Sequence, residues 1–320
     1  MRTDRSSVAA RASWPWFQDY LLPALVTLLA MALYLNGLDS KSLWYDELGT
    51  LSNIGWNDGW LAAIRNPLVI PIVPKPPLFF LVSRLLFEVS DSVFVLRLPS
   101  VFFATMTIPL VYALGRSFFE RQFGLIGALL LAIAPLFIRY AQEARMYAML
   151  VFLSMLSLYL FWQAVRSDRW GWWLAFIVAT AASLYTHQFA LLPLGVMTLF
   201  TLWLLIRPRT RSRFLFRGWH FFVALAAILL LLVPVAPFLV DGLKSGRGLG
   251  GSAAPRWSLA HMAGALRLFS GGSDAGAVIY AALFLLAVVV LAIKQRDLLA
   301  LSVMWIGVPF AILLVVPFGH

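Results

Sequence analysis

The sequence Leu43-Trp44-Tyr45-Asp46-Glu47-Leu48 places two neighbouring carboxylates beside aromatic residues, a short distance beyond the first long apolar run at 16–35. That run has about 20 residues, which is long enough for a helix to cross a bilayer. We therefore predict a transmembrane helix followed by an acidic pair at a boundary between water and lipid. Acidic residues in a short loop are usually only solvated, so the pair alone does not establish a functional site.

The composition sets the class of protein. Hydrophobic residues make up 62% of the 320 residues and charged residues 12%, whereas a soluble domain is roughly half apolar and a quarter charged. We infer an all-α polytopic membrane protein. The net charge of +11 comes from basic residues clustered between apolar runs, as membrane topology requires, so it does not indicate a nucleic-acid partner. The absence of cysteine excludes disulfides and thiolate metal sites, and the four histidines lie far apart in the sequence.

The first apolar run could be a signal peptide or a retained helix. Ala30-Met31-Ala32 resembles a cleavage site, but it lies inside the run rather than after it, so we predict a retained helix. Further runs bring the predicted total to about nine transmembrane helices. These runs are 94–115, 123–138, 146–165, 170–185, 189–206, 219–240, 277–293 and 298–317.

The segment 76–89 is ambiguous because it is apolar but short, and it contains Arg84 and Glu88. If it lies in the interface, the arginine-rich turn at 207–217 and the other basic turns face the cytoplasm, whereas a spanning segment would turn them outside. The positive-inside rule favours the interfacial placement. We therefore predict a long first outer loop, 36–93. The loop 241–276 then lies on the same face, with a short amphipathic helix at 257–269.

Five short motifs carry a resemblance to a known family. They are Trp44-Tyr45-Asp46-Glu47, Lys75-Pro76-Pro77-Leu78, Leu96-Arg97-Leu98-Pro99-Ser100, Arg139-Tyr140-Ala141-Gln142-Glu143-Ala144-Arg145-Met146-Tyr147 and Tyr185-Thr186-His187-Gln188-Phe189. In this order the set resembles the GT-C membrane glycosyltransferases. More narrowly, it is similar to the bacterial branch related to protein O-mannosyltransferases and lipid A aminoarabinose transferases. The similarity covers about residues 16–270.

The resemblance implies a single GT-C-like transmembrane domain over 1–320, with the outer loops 36–93 and 241–276 near the active site. It also implies a polyprenyl-phosphate-sugar donor and a lipid, glycan or protein acceptor at the outer, periplasmic face of a bacterial cytoplasmic membrane. We expect no cofactor and no metal. Relatives usually continue with more helices and often a soluble outer domain, so we expect the chain to lack the C-terminal part.

The same resemblance assigns the first-loop acid, Asp46, as the catalytic base, with Glu47 as its neighbour in the catalytic motif. Sugar transfer from a phosphate needs a base for the acceptor hydroxyl and cations for the departing phosphate. If the acid pair were extended, neighbouring side chains would alternate, so one acid would face the cavity and the other would support it against Lys75 or Arg145.

Three basic residues are candidate ligands of the donor phosphate, namely Lys75, Arg97 and Arg145. Many members carry histidine at the first of these positions, whereas the aminoarabinose transferases carry lysine there, where it meets the lipid phosphate. A snorkelling lysine and a structural arginine at a helix start are the alternatives, and Glu143 with Arg145 could form only a local salt bridge. The other active-site candidates are Tyr45, Tyr140, Glu143 and His187.

Two other functions stay open. A transporter or lipid flippase needs ionisable residues or broken helices near the middle of the bilayer, but the predicted spans carry almost no charge except at their ends. An inactive, truncated relative is the other alternative, because the chain ends just after the last predicted span.

Overall fold

The computed structural model describes residues 17–55, 59–69, 75–207, 218–236 and 259–315, and the regular elements in these ranges are all helical. A π-helical turn, Phe17–Leu21, leads into α1, Leu22–Leu35. Three short helices follow, α2 (Tyr45–Ile54), α3 (Trp60–Val69) and α4 (Leu78–Phe87). The others are α5 (Val93–Phe118), α6 (Arg121–Ala132), α7 (Pro135–Ala141), α8 (Tyr147–Ser167), α9 (Trp170–Leu184), α10 (Leu191–Ile206), α11 (Trp219–Leu232), α12 (Leu259–Phe269), α13 (Asp274–Lys294) and α14 (Arg296–Val315).

Four described helices are long and apolar enough to cross a membrane. They are α5, α8, α10 together with the preceding 3-10 turn Gln188–Ala190, and α13. The bent pair α6 and α7 is a fifth candidate. The predicted spans at 16–35, 170–185 and 219–240 correspond to shorter apolar helices, and 298–317 corresponds to α14. The count of nine spans therefore stays a prediction.

The span predicted at 123–138 corresponds to the pair α6 and α7, and the structure bends the chain by 64° between these two helices. Pro135 is the cause. Its ring disfavours helical geometry at the preceding residue, and Ala134 is accordingly extended, with φ −65° and ψ 119°. Proline is tolerated at the first position of the next helix, so α7 begins there in a new direction.

The candidate membrane helices pack closely where side chains are small. A Cβ atom added to Gly115 on α5 would lie 2.5 Å from the Cα of Gly124 on α6, which is closer than any real contact. The paired glycines therefore let the two backbones approach, as small residues do in membrane bundles. At the far end of α8, the carboxylate of Asp168 lies 2.6 Å from Nδ1 of His220 on α11, which joins those helices.

Helix α4 is too short to cross a bilayer as a straight helix. Its 10 residues extend only about 15 Å, half of the roughly 30 Å hydrocarbon core. Arg84 on α4 donates to Gly55 O at 2.8 Å and forms a salt bridge with Glu88, so the two charges of this segment are satisfied locally. The interfacial placement of 76–89 stays a prediction.

The structure describes the predicted loop 241–276 only in part. The predicted helix at 257–269 is present as α12, and Arg267 near its end pairs with Asp274 at 2.6 Å. Residues 241–258 lie outside the described ranges.

Candidate active site

The acid pair lies in the first turn of α2, not in an extended segment. Consecutive residues of an α-helix are rotated by roughly 100° about its axis, so the two side chains still diverge. The Asp46 side chain is 36% exposed, whereas that of Glu47 is fully buried. The sequence analysis considered an extended segment with the supporting acid against Lys75 or Arg145, but the backbone is helical and the buried acid, Glu47, pairs with Arg97.

Glu47 holds the site together. Its two carboxylate oxygens accept hydrogen bonds from Nε and Nη2 of Arg97 on α5, at 2.8 Å and 2.7 Å. The backbone N–H of Ala144 donates to the same carboxylate at 2.8 Å. The third donor is the N–H of Trp44, just before α2, at 3.4 Å. Glu47 thus joins α2 to α5 and to the turn between α7 and α8.

The surroundings of Glu47 keep it ionised. Burial alone raises the pKa of its carboxyl, but the hydrogen bonds from Arg97 and Ala144 and the charge of Arg97 outweigh that effect and hold the pKa below its usual range. A carboxylate in the first helical turn is also stabilised by the positive end of the helix dipole.

Arg97 uses its guanidinium within the protein. Besides the carboxylate of Glu47, it donates to the backbone oxygens of Leu38 at 2.6 Å, Lys41 at 3.1 Å and Ser42 at 3.4 Å. The residue is 4% exposed. Of the two roles that the sequence left open, this geometry favours the structural role over a contact with the donor phosphate.

The turn between α7 and α8 is anchored from three directions. Thr50 on α2 donates to Ala144 O at 2.8 Å, and Ser100 on α5 donates to Arg145 O at 3.0 Å. Gln142 donates to Asn36 O at 2.8 Å, beyond the end of α1. These contacts fix the backbone from which the Arg145 side chain extends.

Arg145 lies beside Asp46. Its Nη1 donates to the backbone oxygen of Asp46 at 3.0 Å, and its Nη2 lies 3.6 Å from the carboxylate oxygen Oδ2. Although the side chain is 5% exposed, Nε has no hydrogen-bond partner among the residues that the structure describes. The guanidinium also lies 5.6 Å from the centre of the Tyr147 ring, a cation–π distance. One buried donor is therefore left for a ligand.

Lys75 is the second cation near Asp46, after Arg145. Burial, and then the charge of Arg145, lower the pKa of its amine to about 8, although the carboxylate of Asp46 acts in the opposite direction. Within the described ranges its ammonium forms no ion pair or hydrogen bond. Leu78, three residues on, donates its N–H to Tyr185 O at 3.0 Å, so the Lys75 segment is fixed to the end of α9.

His187 is the neutral member of the cluster. Burial, followed by the charges of Arg145 and Lys75, lowers the pKa of the imidazole to about 4. Its Nδ1 accepts a hydrogen bond from the N–H of Phe189 at 3.1 Å, which places the ring proton on Nε2. At neutral pH His187 offers a hydrogen-bond donor but no charge.

The remaining candidates lie at the edge of the cluster. Tyr45 is 76% exposed. The rings of Tyr140 and Tyr147 pack edge to face, with centres 5.1 Å apart. Glu143 pairs with Arg139 at 2.9 Å, not with Arg145, the partner that the sequence left open. Tyr147 belongs to the quoted motif but was not among the predicted site residues, and its spacing of two from Arg145 gave no signal of the ring contact.

The cluster can bind an anion and accept a proton. The buried Arg145 and the half-buried Lys75 face one partly exposed carboxylate, that of Asp46, so the local charge favours a bound phosphate. In the part of the chain that the structure describes, no three His, Cys, Asp or Glu side chains lie together as a metal site.

A family model matches the part of the chain that contains most of these site residues. The model described as Dolichyl-phosphate-mannose-protein mannosyltransferase matches residues 74–239, slightly more than half of the chain. The match contains Lys75, Arg97, Arg145 and His187, whereas Asp46 and Glu47 precede it. A comparison with curated proteins found no significant match.

Proposed function

Since this chain belongs to the dolichyl-phosphate-mannose-protein mannosyltransferase family, we propose that it transfers a sugar from a polyprenyl-phosphate donor to a lipid, glycan or protein acceptor. Membership supports the general class, a membrane glycosyltransferase of the GT-C type. The donor, the acceptor and the residue roles below are the proposal.

One observation carries the proposal: a buried cation, Arg145, and a half-buried cation, Lys75, lie beside the partly exposed carboxylate of Asp46. A phosphate-linked sugar needs cations where charge develops on the leaving phosphate and a base where the acceptor loses its proton. The amine of Lys75 and the Nε of Arg145 have no anionic or hydrogen-bond partner among the described side chains. They are therefore available to a ligand.

In the proposed reaction, the acceptor hydroxyl oxygen forms a bond to the anomeric carbon as the bond from that carbon to the phosphate oxygen breaks. Asp46 takes the hydroxyl proton. The polyprenyl phosphate leaves with the bonding electrons, and Lys75 and Arg145 stabilise its charge. Such a direct displacement inverts the anomeric centre. His187, with its proton on Nε2, donates to a substrate oxygen.

We place this reaction at the outer face of the membrane. Asp46, Arg145 and His187 lie at connections that meet at one end of the bundle, whereas Arg116 and Arg121 lie at the other end of α5. Basic residues concentrate on the cytoplasmic side, so the acid and cation cluster faces outward. The arginine-rich turn at 208–217 is part of the same topology argument but lies outside the described ranges.

A transfer assay tests the proposed function. Membranes containing the full chain are incubated with a panel of radiolabelled polyprenyl-phosphate sugars and, separately, with nucleotide sugars, beside membranes without the chain. We expect label to pass from at least one polyprenyl-phosphate sugar to a lipid, glycan or protein fraction. Transfer from nucleotide sugars alone, without a lipid-linked intermediate, would contradict the proposed donor.

Lys75 gives a prediction about pH. Its amine is protonated below a pKa of about 8, so donor affinity should fall as the pH rises through that value, when the positive charge is lost. Lys75→Ala should weaken donor binding roughly ten- to a hundredfold near neutral pH, because a charge-assisted contact contributes about 1.5–3 kcal/mol. Equilibrium binding of a labelled donor to the purified chain measures both effects.

Two variants sharpen this measurement. Lys75→Arg keeps its charge above the pKa of the lysine, so its donor affinity should change less across that pH range than the affinity of the parent chain. Lys41→Ala removes an exposed lysine from the same loop and should leave affinity unchanged. If Lys75→Ala bound the donor as tightly as the parent chain, Lys75 would be a snorkelling residue only.

A further inference from the structure

A cavity of about 800 Å³ lies at the end of the bundle opposite Asp46. It is an open pocket bounded by the beginning of α1 and the ends of α5 and α8, and we refer to it as the inner-end cavity. Arg116 on its wall is 19 residues beyond Arg97 along α5, which corresponds to roughly 28 Å of helix. The inner-end cavity is therefore separate from the proposed active site.

The inner-end cavity has an apolar part and a cationic part. Pro23, Ala24, Leu28, Pro109 and Ala113 supply apolar wall. Arg116 and Arg166 supply two positive charges, and Gln163 a polar amide. Such a division fits an amphiphile with an anionic headgroup better than a soluble ion, since a soluble ion has no use for the apolar wall.

The positive charge of the inner-end cavity is only partly neutralised. Arg116 and a neighbouring arginine, Arg121, each lie 3.5 Å from a carboxylate oxygen of Asp19, so two cations share one carboxylate. Arg166 donates to Ser117 O at the long distance of 3.5 Å. The lining itself carries two arginines, Arg116 and Arg166, and one aspartate, Asp19, so it keeps a surplus of positive charge.

A second observation also indicates a missing ligand. Tyr112 lines the inner-end cavity and is 6% exposed, yet its hydroxyl has no hydrogen-bond partner among the described residues. Buried hydroxyls are usually paired. The unpaired phenol is therefore a donor on the wall of the cavity that a polar headgroup could satisfy if the side chain turned toward it.

We propose that the inner-end cavity binds an anionic phospholipid of the cytoplasmic leaflet. The phosphate lies between Arg116 and Arg166, and one acyl chain follows the apolar wall formed by α1 and α5. Basic pockets between transmembrane helices on the cytoplasmic side bind anionic lipid headgroups in this way. The bound lipid fills the space between α1, α5 and α8.

Native mass spectrometry of the full chain, released from nanodiscs of equal phosphatidylglycerol and phosphatidylcholine, tests the proposal. We expect the parent chain to retain phosphatidylglycerol preferentially. Arg116→Gln with Arg166→Gln should reduce that preference by roughly five- to thirtyfold, since a basic residue near the surface contributes about 1 kcal/mol with anionic lipid. The matched control is Arg169→Gln, an exposed arginine beyond the end of α8 that does not line the cavity, and it should behave like the parent chain.

Three results would overturn the proposal. The first is equal retention of the two phospholipids by the parent chain. The second is an unchanged preference in the double variant, and the third is an equal loss in Arg169→Gln, which would indicate only a diffuse surface charge. Preferential retention of added polyprenyl phosphate, lost in the same double variant, would instead assign the cavity to the carrier lipid and would also reject the phospholipid.

Discussion

Replacing Asp46 with asparagine is expected to lower the rate of sugar transfer by about 10²–10⁴-fold, the usual contribution of a general base, while donor affinity is kept. The geometry supports this separation of effects. Arg145 is held mainly by the backbone oxygen of Asp46, at 3.0 Å, whereas its contact with the carboxylate is 3.6 Å long. The asparagine keeps that backbone contact and the side-chain shape, but it cannot take the proton from the hydroxyl group of the sugar acceptor.

The rate should be measured under single-turnover conditions, with donor binding measured separately on the same preparation. Asp39→Asn is a matched control, because Asp39 is an exposed aspartate in the same loop. This control should transfer sugar at the parental rate. Equal losses in the two variants would show that any charge removed from the loop lowers transfer, and the assignment of Asp46 as the base would then be wrong.

Replacing Glu47 with glutamine should instead destabilise the fold, by about 3–5 kcal/mol, the cost of removing one partner from a buried ion pair. Glu47 and Arg97 are buried, at side-chain exposures of 0% and 5%. The variant leaves the guanidinium charge in the protein without its carboxylate. Thermal or denaturant unfolding of the purified chain in detergent measures this loss.

A control and a rescue make the result specific. Glu88→Gln removes the carboxylate that pairs with Arg84. The Glu88 side chain is 44% exposed, so the variant should lower the free energy of unfolding by at most about 1 kcal/mol. Combining Glu47→Gln with Arg97→Gln should cost less than the sum of the single changes, because no unpaired charge remains. Additive losses would indicate that the two residues do not stabilise each other.

The ion pair between Glu47 and Arg97 also predicts that acid destabilises the fold. Because the folded protein lowers the pKa of Glu47, the carboxylate stabilises the fold at pH values above its ordinary, unfolded pKa. That contribution is lost as the pH falls through the lower pKa of the folded state. The parent chain should therefore lose stability on acidification more steeply than Glu47→Gln.

The helical membrane class could be predicted from the sequence, because a helix is the usual structure of an apolar run of about 20 residues. The pairing of Glu47 with Arg97 could not be predicted, because fifty residues separate them. The sequence around each of them does not indicate which residue it contacts. The prediction that Asp46, Lys75 and Arg145 share one site came only from the family resemblance, which rests on the order of the motifs. The burial of Arg145 beside the partly exposed Asp46 follows from the packing of distant helices, which no local pattern in the sequence indicates.

Two other features follow from local chemistry. Pro135 lies inside the predicted span 123–138, and an interior proline commonly bends a helix. Arg139 and Glu143 are four residues apart, the spacing at which helical side chains meet. The predicted span followed hydropathy alone and the predicted pair followed motif order alone, so the bend and the salt-bridge partner were missed.

The most direct test of the proposed site compares Asp46→Asn and Lys75→Ala side by side, with donor affinity and single-turnover transfer measured for each. The proposed roles predict a crossed pattern. Asp46→Asn should lose about 10²–10⁴-fold in transfer rate with its donor affinity kept, and Lys75→Ala should lose roughly ten- to a hundredfold in donor affinity. Parental transfer by Asp46→Asn, or a loss of donor affinity in Asp46→Asn as large as in Lys75→Ala, would contradict a base and a phosphate-binding cation at these two positions.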